Sequence, residues 1–467
     1  MTRAAASAVA LVCFCCACTS PATGPADGAR PDPVSSSTPP SAQAAPTAAA
    51  TTTQPLVLAT AVTRGPVRLG LAGARAVLRG EADGWRVVAA PDLPVSGVRV
   101  AGSARAAVRA VERGRSTLAV VPADAVRPTV RAVTVAGVDP LRAPGRYPLR
   151  VDGPRPPAPT TLTLVGDVML DRGVRDPAAA LAPMSRRLRA ADLTVGNLES
   201  TLSDDGPARQ GDDSFAADPG VLDSLSRAGF DALSLANNHT GDYGVRALLR
   251  TLRLFGSGPI TSFGAGRDLR SAGRAAVLES HGTRFGFVGF NAIGETPRAT
   301  RARPGALSVR MPPRTGPLVR ADLDHVSALV RRLAARVDVV VAVPHWGTQY
   351  THAPEPVQRR VARVLVGAGA DLVVGGHPHW VQGVDVVRGA VVAHSLGNFV
   401  FDMDFMPQTQ QGVLLEATYW GDRLVAVDLV PYRMGAGFAP RVVAGRAGAE
   451  ILGDVWENSG GPFRAVG

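Results

Sequence analysis

The chain has 467 residues, a formal net charge of +11 at pH 7 and 50 basic residues, all of them arginine. Its length predicts two domains plus tails. The arginines are scattered through predicted helices instead of clustering with aromatic side chains, so a biased composition accounts for the charge and we expect no nucleic-acid partner.

The first eighteen residues contain all four cysteines of the chain. The apolar run Ala4 to Ala17 follows Arg3 and is too short for a spanning helix, which is typical of a secretory signal. We therefore interpret residues 1–18 as a lipoprotein signal peptide with lipidation at Cys18, although Cys15 stands where such signals usually carry Leu. This predicts an extracytoplasmic protein, lipid-anchored to the cell membrane. A plain cleaved signal, giving a secreted protein, is the alternative.

The next two segments differ in composition. Residues 19–54 are mainly Pro, Ala, Ser and Thr, which predicts a disordered linker. Residues 55–153 alternate helix-like and strand-like runs, which predicts a small α/β module. Two stretches, Ala74 to Trp85 and Ala132 to Leu149, resemble parts of phosphate-binding-type solute receptors. The resemblance implies either ligand binding or, in a truncated module, a structural or docking role.

The larger segment, residues 160–435, follows a proline-rich joint, and residues 436–467 are interpreted as a C-terminal tail. Continuous apolar strands separated by helices predict a layered α/β domain with a buried sheet. The predicted strands are Leu162 to Val165, Leu193 to Val195, Ala232 to Leu235, Phe285 to Phe290, Val339 to Val343, Leu372 to Val374 and Val391 to Ala393. The predicted helices are Ala178 to Ala191, Val221 to Ala228, Gly244 to Leu254, Val319 to Val337 and Pro356 to Gly367.

Immediately after these strands come side chains that can bind a metal ion. Because parallel strands end at one edge of a sheet, we expect these side chains to converge. Carboxylate, imidazole and amide donors suit one or two divalent ions such as Mn, Zn, Fe or Mg, which could activate water for attack on a phosphate. His239 is placed to protonate the leaving group. The candidate ligands are Asp167, Glu199, Asn238, His345, His377 and His379.

The motifs that contain these residues resemble one family. They are Gly166-Asp167, Asn197-Leu198-Glu199, Asn237-Asn238-His239 with Asp242, His345-Trp346-Gly347, His377-Pro378-His379, and Ser395 to Asp402. Together they resemble the CapA or PgsA-like capsule (poly-gamma-glutamate) synthesis proteins, a branch of the calcineurin-like metallophosphoesterase superfamily.

The resemblance implies a four-layer α/β/β/α metallophosphoesterase-like sandwich with a metal site at one rim. It assigns the six candidates as ligands and His239 as the acid. Asp242, Asn398 and Asp402 are expected to orient the ligands from behind. His394 is interpreted as a buried structural histidine.

Two positions depart from the family pattern. Met169 stands where the superfamily usually carries a histidine ligand, which puts a second metal in question. Gln349 stands where family members often carry Glu, and Gln cannot act as a base. Both departures bear on whether the domain is catalytic.

The implied function is that of a metal-dependent, phosphoesterase-like hydrolase in capsule or poly-gamma-glutamate biosynthesis. Its expected partner is an anionic envelope polymer or a phosphoester substrate. One alternative is a catalytically silent metal-binding scaffold for polymer assembly or export, and another is a hydrolase of poly-gamma-glutamate amide bonds.

Overall fold

The structure, a computed structural model, describes residues 52–465. The predicted signal peptide, Cys18 and the linker up to residue 51 lie outside the described residues. The first strand already begins at Thr53, so the linker stops short of its expected end at residue 54. Within residues 52–465, no helix combines the length and the apolar character needed to cross a bilayer.

Strands and helices alternate along most of the described chain. The strands are β1 (Thr53–Ala61), β2 (Arg68–Leu69), β3 (Arg86–Ala89), β4 (Arg99–Val100), β5 (Thr117–Pro122), β6 (Val130–Ala132), β7 (Thr134–Val135), β8 (Arg150–Asp152), β9 (Pro159–Val168), β10 (Leu193–Leu198), β11 (Ala232–Ser234), β12 (Thr261–Phe263), β13 (Ala265–Gly266), β14 (Ala276–Ser280), β15 (Thr283–Asn291), β16 (Gly305–Ala306), β17 (Val339–His345), β18 (Leu372–Val374), β19 (Val384–Val387), β20 (Ala390–Ala393), β21 (Asn398–Val400), β22 (Gln411–Trp420), β23 (Arg423–Met434) and β24 (Pro440–Val442). The α-helices are α1 (Leu71–Leu78), α2 (Ala104–Glu112), α3 (Pro177–Leu188), α4 (Val221–Ala228), α5 (Gly244–Ser257), α6 (Leu269–Ala272), α7 (Arg320–Ala334), α8 (Pro356–Gly367) and α9 (Gly445–Glu457).

Two large sheets form the centre of residues 159–465. The first has the order β12-β11-β10-β9-β22-β23-β24, with β21 also paired to β9. The second has the order β14-β15-β17-β18-β20-β19. Strands β9 to β12 of the first sheet are parallel, as are β15, β17, β18 and β20 of the second, so within each of these sets the carboxyl ends lie at one edge.

The two sheets pack face to face, and helices cover both outer faces. Leu162 and Val195 of the first sheet share a core with Phe285 and Val341 of the second. Apolar residues of α3, α4 and α5 pack on the first sheet, and those of α7 and α8 pack on the second. This arrangement confirms the expected four-layer α/β/β/α sandwich.

The predicted C-terminal tail is instead part of the folded unit. Residues 436–465 contain β24, which pairs with β23, and helix α9. Ile451, Val455 and Trp456 of α9 are buried in the core between the sheets. Their spacing of four and five residues places them on one helix face, so burial of this apolar stripe explains why the segment is ordered.

The N-terminal module contains its own sheet, with the order β4-β3-β5-β1-β6 and with β8 paired to β1. Helix α2 packs on one face of this sheet and α1 on the other. Trp420 and Val425 of the β22–β23 hairpin complete the core beneath α2, and the Trp420 indole donates a hydrogen bond of 2.8 Å to the carbonyl of Leu141. The module therefore packs directly against the sandwich.

Candidate metal centre

The six predicted ligands lie together where the strands of the two facing sheets end. Asp167 lies near the end of β9, Glu199 follows β10, and His345 ends β17. The remaining three, Asn238, His377 and His379, lie in loops after β11 and β18. All six side chains are buried. The topology therefore converts a pattern spread over more than two hundred residues into one cluster.

Two groups within this cluster have the spacing of a metal site. Glu199, His345 and His377 form one group, and Asp167, Glu199 and His379 form the other. Within each group the candidate ligand atoms all lie within 4.8 Å of one another. Glu199 belongs to both groups, so it would help to hold an ion in either of them. Buried oxygen and imidazole donors of this kind fit a divalent metal.

Two of these ligand atoms have no hydrogen-bond partner among the described residues. They are Oε1 of Glu199 and Nδ1 of His377. The imidazole nitrogen Nε2 of His345 lies 3.4 Å from Glu199 Oε1 and 2.8 Å from Oδ1 of Asn238. A buried polar atom without a partner is costly, and a bound cation would satisfy all of these lone pairs at once. The donor set therefore fits a metal ion.

Asp167 is held by two donors from different parts of the chain. The side-chain amide of Asn197 donates to its Oδ1 over 2.9 Å, and the backbone N–H of His377 donates to its Oδ2 over 2.9 Å. Burial, reinforced by the nearby charge of Glu199, raises the pKa of Asp167 to about 7. Burial likewise raises the pKa of Glu199. Both carboxyl groups therefore favour the protonated form unless a positive charge lies beside them.

The three histidines of the cluster are neutral at neutral pH. Burial lowers the pKa of His345 to about 4 and lowers the pKa values of His377 and His379 as well. A neutral imidazole keeps a lone pair for a metal. His379 Nδ1 lies 2.8 Å from Oδ1 of Asn398, which fixes Nδ1 as the donor and leaves Nε2 free to bind. Asn398 thus orients the imidazole of His379, a candidate ligand.

The loop after β18 holds both of its histidines in unusual backbone conformations. His377 has φ of 95° and His379 has φ of 58°, in the left-handed region that non-glycine residues seldom adopt. Such strain persists only where surrounding contacts enforce it, and it concentrates at functional sites. Gly376 precedes them, and a Cβ at that position would meet Asp167 Oδ1 at 2.4 Å. The loop backbone is thereby packed against the carboxylate.

His239 is suited to donate a proton at the edge of the cluster. Its Nδ1 lies 2.8 Å from Oδ2 of Asp242, while its Nε2 faces Glu199 Oε1 at 3.9 Å. Burial alone would lower the pKa of His239, but the hydrogen bond to Asp242 and its charge outweigh burial, so the pKa is raised. The ring also stacks on Phe215, with 4.1 Å between centroids. The contact with Asp242 therefore orients the imidazole of His239.

Asp402 does not contact any of the candidate ligands, in contrast to the expectation for it. Its Oδ2 instead accepts a hydrogen bond of 3.0 Å from Nε of Arg172. The guanidinium of Arg172 lies 4.3 Å from the centroid of the Phe215 ring, which in turn stacks on His239. The carboxylate of Asp402 is therefore paired with Arg172 on the loop after β9, and two side chains, Arg172 and Phe215, link it to His239.

Two asparagines that sequence reasoning left out are part of the cluster. Asn197 donates to Asp167 and its Nδ2 lies 3.3 Å from Nδ1 of His345, so it links the two sheets. Asn237 in turn donates to Oδ1 of Asn197 over 3.0 Å. Asn197 precedes Glu199 by two residues, and alternate residues of a strand share a face. That spacing was the available signal.

The two departures from the family pattern have different surroundings. Met169 is buried in an apolar cluster with Phe215 and Phe401, so this position supplies packing and no imidazole. Gln349 is half-buried in the loop after β17. His394 lies apart from the cluster, where its Nε2 contacts Oδ2 of Asp385 at 2.9 Å, in keeping with a structural role.

Comparisons with known proteins agree with these motifs. Residues 161–403, more than half of the chain, match the family model described as bacterial capsule synthesis protein PGA_cap. The capsule biosynthesis protein CapA of Bacillus anthracis is 31% identical over 288 residues, covering 59% of this chain and 68% of the relative. The PGA biosynthesis protein CapA of Bacillus subtilis (strain 168) is 29% identical over 264 residues, covering 54% and 66%. The chain thus spans about two thirds of each relative.

Among solved structures, a hypothetical protein from Thermus thermophilus aligns with a TM-score of 0.37 and 18% identity. The alignment covers 59% of this chain and 99% of that protein.

Proposed function

The chain belongs to the bacterial capsule synthesis protein family PGA_cap, and on that premise we propose that it acts in capsule or poly-gamma-glutamate biosynthesis through a metal-dependent, phosphoesterase-like site. The names of its curated relatives, a capsule biosynthesis protein and a PGA biosynthesis protein, support the pathway. One observation carries the chemistry. Glu199 Oε1 and His377 Nδ1 are buried without hydrogen-bond partners in residues 52–465, inside one group of candidate metal ligands.

The residues of the candidate site have two roles, holding the metal ion and transferring a proton. Asp167, Glu199, Asn238 and the three cluster histidines would hold one or two divalent ions. Bound there, the ion supplies Lewis acidity toward a phosphoryl oxygen and makes water more acidic. His239, oriented by Asp242, gives the proton on its Nε2 to the leaving oxygen as the phosphorus–oxygen bond breaks. Water supplies the oxygen that replaces the leaving group.

Metal content and turnover together test this assignment. The purified protein should bind one or two equivalents of Mn²⁺, Zn²⁺ or Fe²⁺, measured by elemental analysis, and should cleave a generic phosphodiester. His377→Ala should lose the metal, whereas His239→Ala should keep it and lose turnover. His281→Ala is the matched control, because its side chain is 45% exposed and remote from the ligands in sequence and contacts. Unchanged turnover in His239→Ala would remove His239 from the mechanism.

A catalytically silent scaffold is the second candidate function, and Met169 favours it. That position supplies apolar packing where the resemblance predicts another ligand. A scaffold would bind metal and release no product from either a phosphodiester or a defined gamma-linked glutamyl peptide. Cleavage of the peptide, detected as free amine, would instead indicate the amide hydrolase. The two substrates therefore separate the three alternatives.

We also propose that the protein is anchored outside the cytoplasm through a lipid on Cys18. The support is the sequence alone, namely the short apolar run that ends at Ala17. Cys18→Ser should move the protein from the membrane fraction to the soluble fraction of the producing cell. Equal fractionation of the two forms would favour a secreted protein instead.

A further inference from the structure

The positive charge of the chain is concentrated in the N-terminal module. Residues 52–153 contain fifteen arginines and seven acidic residues, an excess of eight in a chain whose total excess is eleven. Residues 154–467, three times as long, therefore carry an excess of only three. A uniform bias in composition, inferred above as the cause of the charge, would spread the excess evenly, so the module departs from that expectation.

Four of these arginines line one open groove. The groove has a volume of about 440 Å³, and its remaining lining consists of Val, Ala, Gly and Thr. Among the described residues, this lining includes neither an acidic side chain nor an aromatic ring. Arginine accounts for about one residue in nine of the whole chain but for one in three of the residues that line the groove. The four are Arg86, Arg99, Arg109 and Arg113.

The fold brings these four side chains to the same side of the module. Arg99 on β4 is in register with Val88 on β3, and Arg86 precedes Val88 by two residues on the same strand face. Val88 packs in the core beneath α2, so this is the face that α2 covers. Arg109 and Arg113 lie one turn apart at the end of α2. Sheet and helix thus form two basic walls of one groove.

None of the four makes an ion pair or a side-chain hydrogen bond within residues 52–465. Other arginines of the module do, since Arg142 bonds Glu416 over 2.8 Å and Arg79 bonds Glu81 over 2.7 Å. Like charges one turn apart destabilise a helix. Because no side chain among residues 52–465 pairs with them, the four guanidinium groups are free to bind a ligand. Each offers the planar pair of donors that matches a carboxylate or phosphate.

The groove also lies on the free edge of the module sheet. Strand β4 is the last strand at one edge, whereas β6 at the other edge contacts β23 of the sandwich. Because the groove is open and lies at a sheet edge that pairs with no further strand among the described residues, an extended anionic chain could lie along its two basic walls. Proteins that bind single-stranded nucleic acid combine a basic groove with aromatic rings on which the bases stack, and this lining has no such ring.

We propose that this groove binds a linear polycarboxylate, as a polymer site separate from the metal centre. The choice of carboxylates over phosphates rests on the proposed function in poly-gamma-glutamate biosynthesis, while the anionic character of the ligand rests on the four arginines. The N-terminal module holds the polymer, and the sandwich carries the metal site.

Binding of the full chain to fluorescently labelled poly-gamma-glutamate, measured by anisotropy at low salt, tests the proposal. Arg109→Gln/Arg113→Gln should weaken binding by about tenfold or more, because two charge-assisted contacts are lost. Arg360→Gln/Arg363→Gln is the matched control, since both residues are exposed on α8 and make no ion pair in the described structure. The control removes the same charge and should bind within about twofold of the parent protein.

Equal weakening in both variants would mean a general charge effect and would overturn the proposal, as would unchanged binding in Arg109→Gln/Arg113→Gln. Tighter binding of a phosphodiester polymer of equal charge would reassign the ligand class and overturn the carboxylate choice. His377→Ala should keep full polymer binding. Turnover and polymer binding therefore test the two proposals separately. If His377→Ala leaves turnover unchanged, the metal-site proposal fails, and if Arg109→Gln/Arg113→Gln leaves polymer binding unchanged, the groove proposal fails.

Discussion

Glu199→Gln should make the metal-free protein more stable and abolish its response to metal. The carboxylate is fully buried, Oε1 has no hydrogen-bond partner in residues 52–465, and burial raises its pKa. Replacing an unsatisfied buried anion with a neutral isostere should stabilise the metal-free fold by about 1 kcal/mol or more. Because the folded pKa of Glu199 is raised, its ionisation costs stability as pH rises, so the advantage of Gln should grow with pH.

The response to metal should change in the opposite direction. At a metal concentration of one hundred times Kd, binding stabilises the parent protein by about 2.7 kcal/mol. That corresponds to a rise in Tm of about 3 °C for a folded unit of this length. Glu199 belongs to both ligand groups, so its loss should raise Kd by at least about 100-fold. The gain then falls to about 0.4 kcal/mol.

Differential scanning calorimetry with a chelator and with added Mn²⁺ or Zn²⁺ measures both effects. Glu279→Gln on β14 is the control, because it removes the same charge from an exposed side chain. A lower Tm of the chelated Glu199→Gln protein, together with the full metal-induced shift, would refute this prediction. Such a result would make Glu199 a structural residue.

Three further outcomes follow from the same contacts. Asn398→Ala frees His379 to adopt the wrong tautomer, so the metal Kd should rise about 10–100-fold in calorimetric titration, and an unchanged Kd would contradict the orienting role. Because the pKa of Asp167 is raised to about 7, a proton competes with the metal for this carboxylate below that pH. The Kd for the metal should therefore rise about tenfold per pH unit as the pH falls from 7 to 5, and a Kd that does not change with pH would exclude this competition. Trp420→Ala removes an indole that is 5% exposed and donates a hydrogen bond to Leu141, so the free energy of unfolding should fall by about 3–5 kcal/mol. A protease should also cleave sooner between the N-terminal module and the sandwich, and an unchanged cleavage rate would mean that other contacts hold the module in place.

Most of the sandwich could be predicted from local sequence patterns. Parallel strands buried on both faces, such as Val339–His345, appear as continuous apolar runs, and amphipathic helices such as Pro356–Gly367 keep a regular spacing. The antiparallel hairpin of β22 and β23 was missed, although Gly421 with φ of 60° marks its turn. Strand β22 is buried along almost its whole length, so its apolar residues do not alternate with exposed polar ones.

The candidate ligands could be predicted because each lies near the end of a strand or in the loop that follows it, and the topology then brings these strand ends together. Contacts between loops had no such local signal. Asp402 and Arg172 are 230 residues apart, and only the folded chain shows that they bind each other. The basic groove was missed for a similar reason, since Arg86 and Arg113 come from different elements and look unremarkable in an arginine-rich sequence.

The direction of β22 has a consequence for how the molecule is presented to its surroundings. Trp420 pairs with Pro159 at the start of β9, whereas Asp167 lies at the other end of the same strand. The first described strand, β1, pairs with β8 just before that start, so the chain enters the fold at the pole opposite the metal ligands. A tether joined to the N-terminus would consequently attach the molecule at the end opposite the candidate metal ligands and leave that end away from the point of attachment.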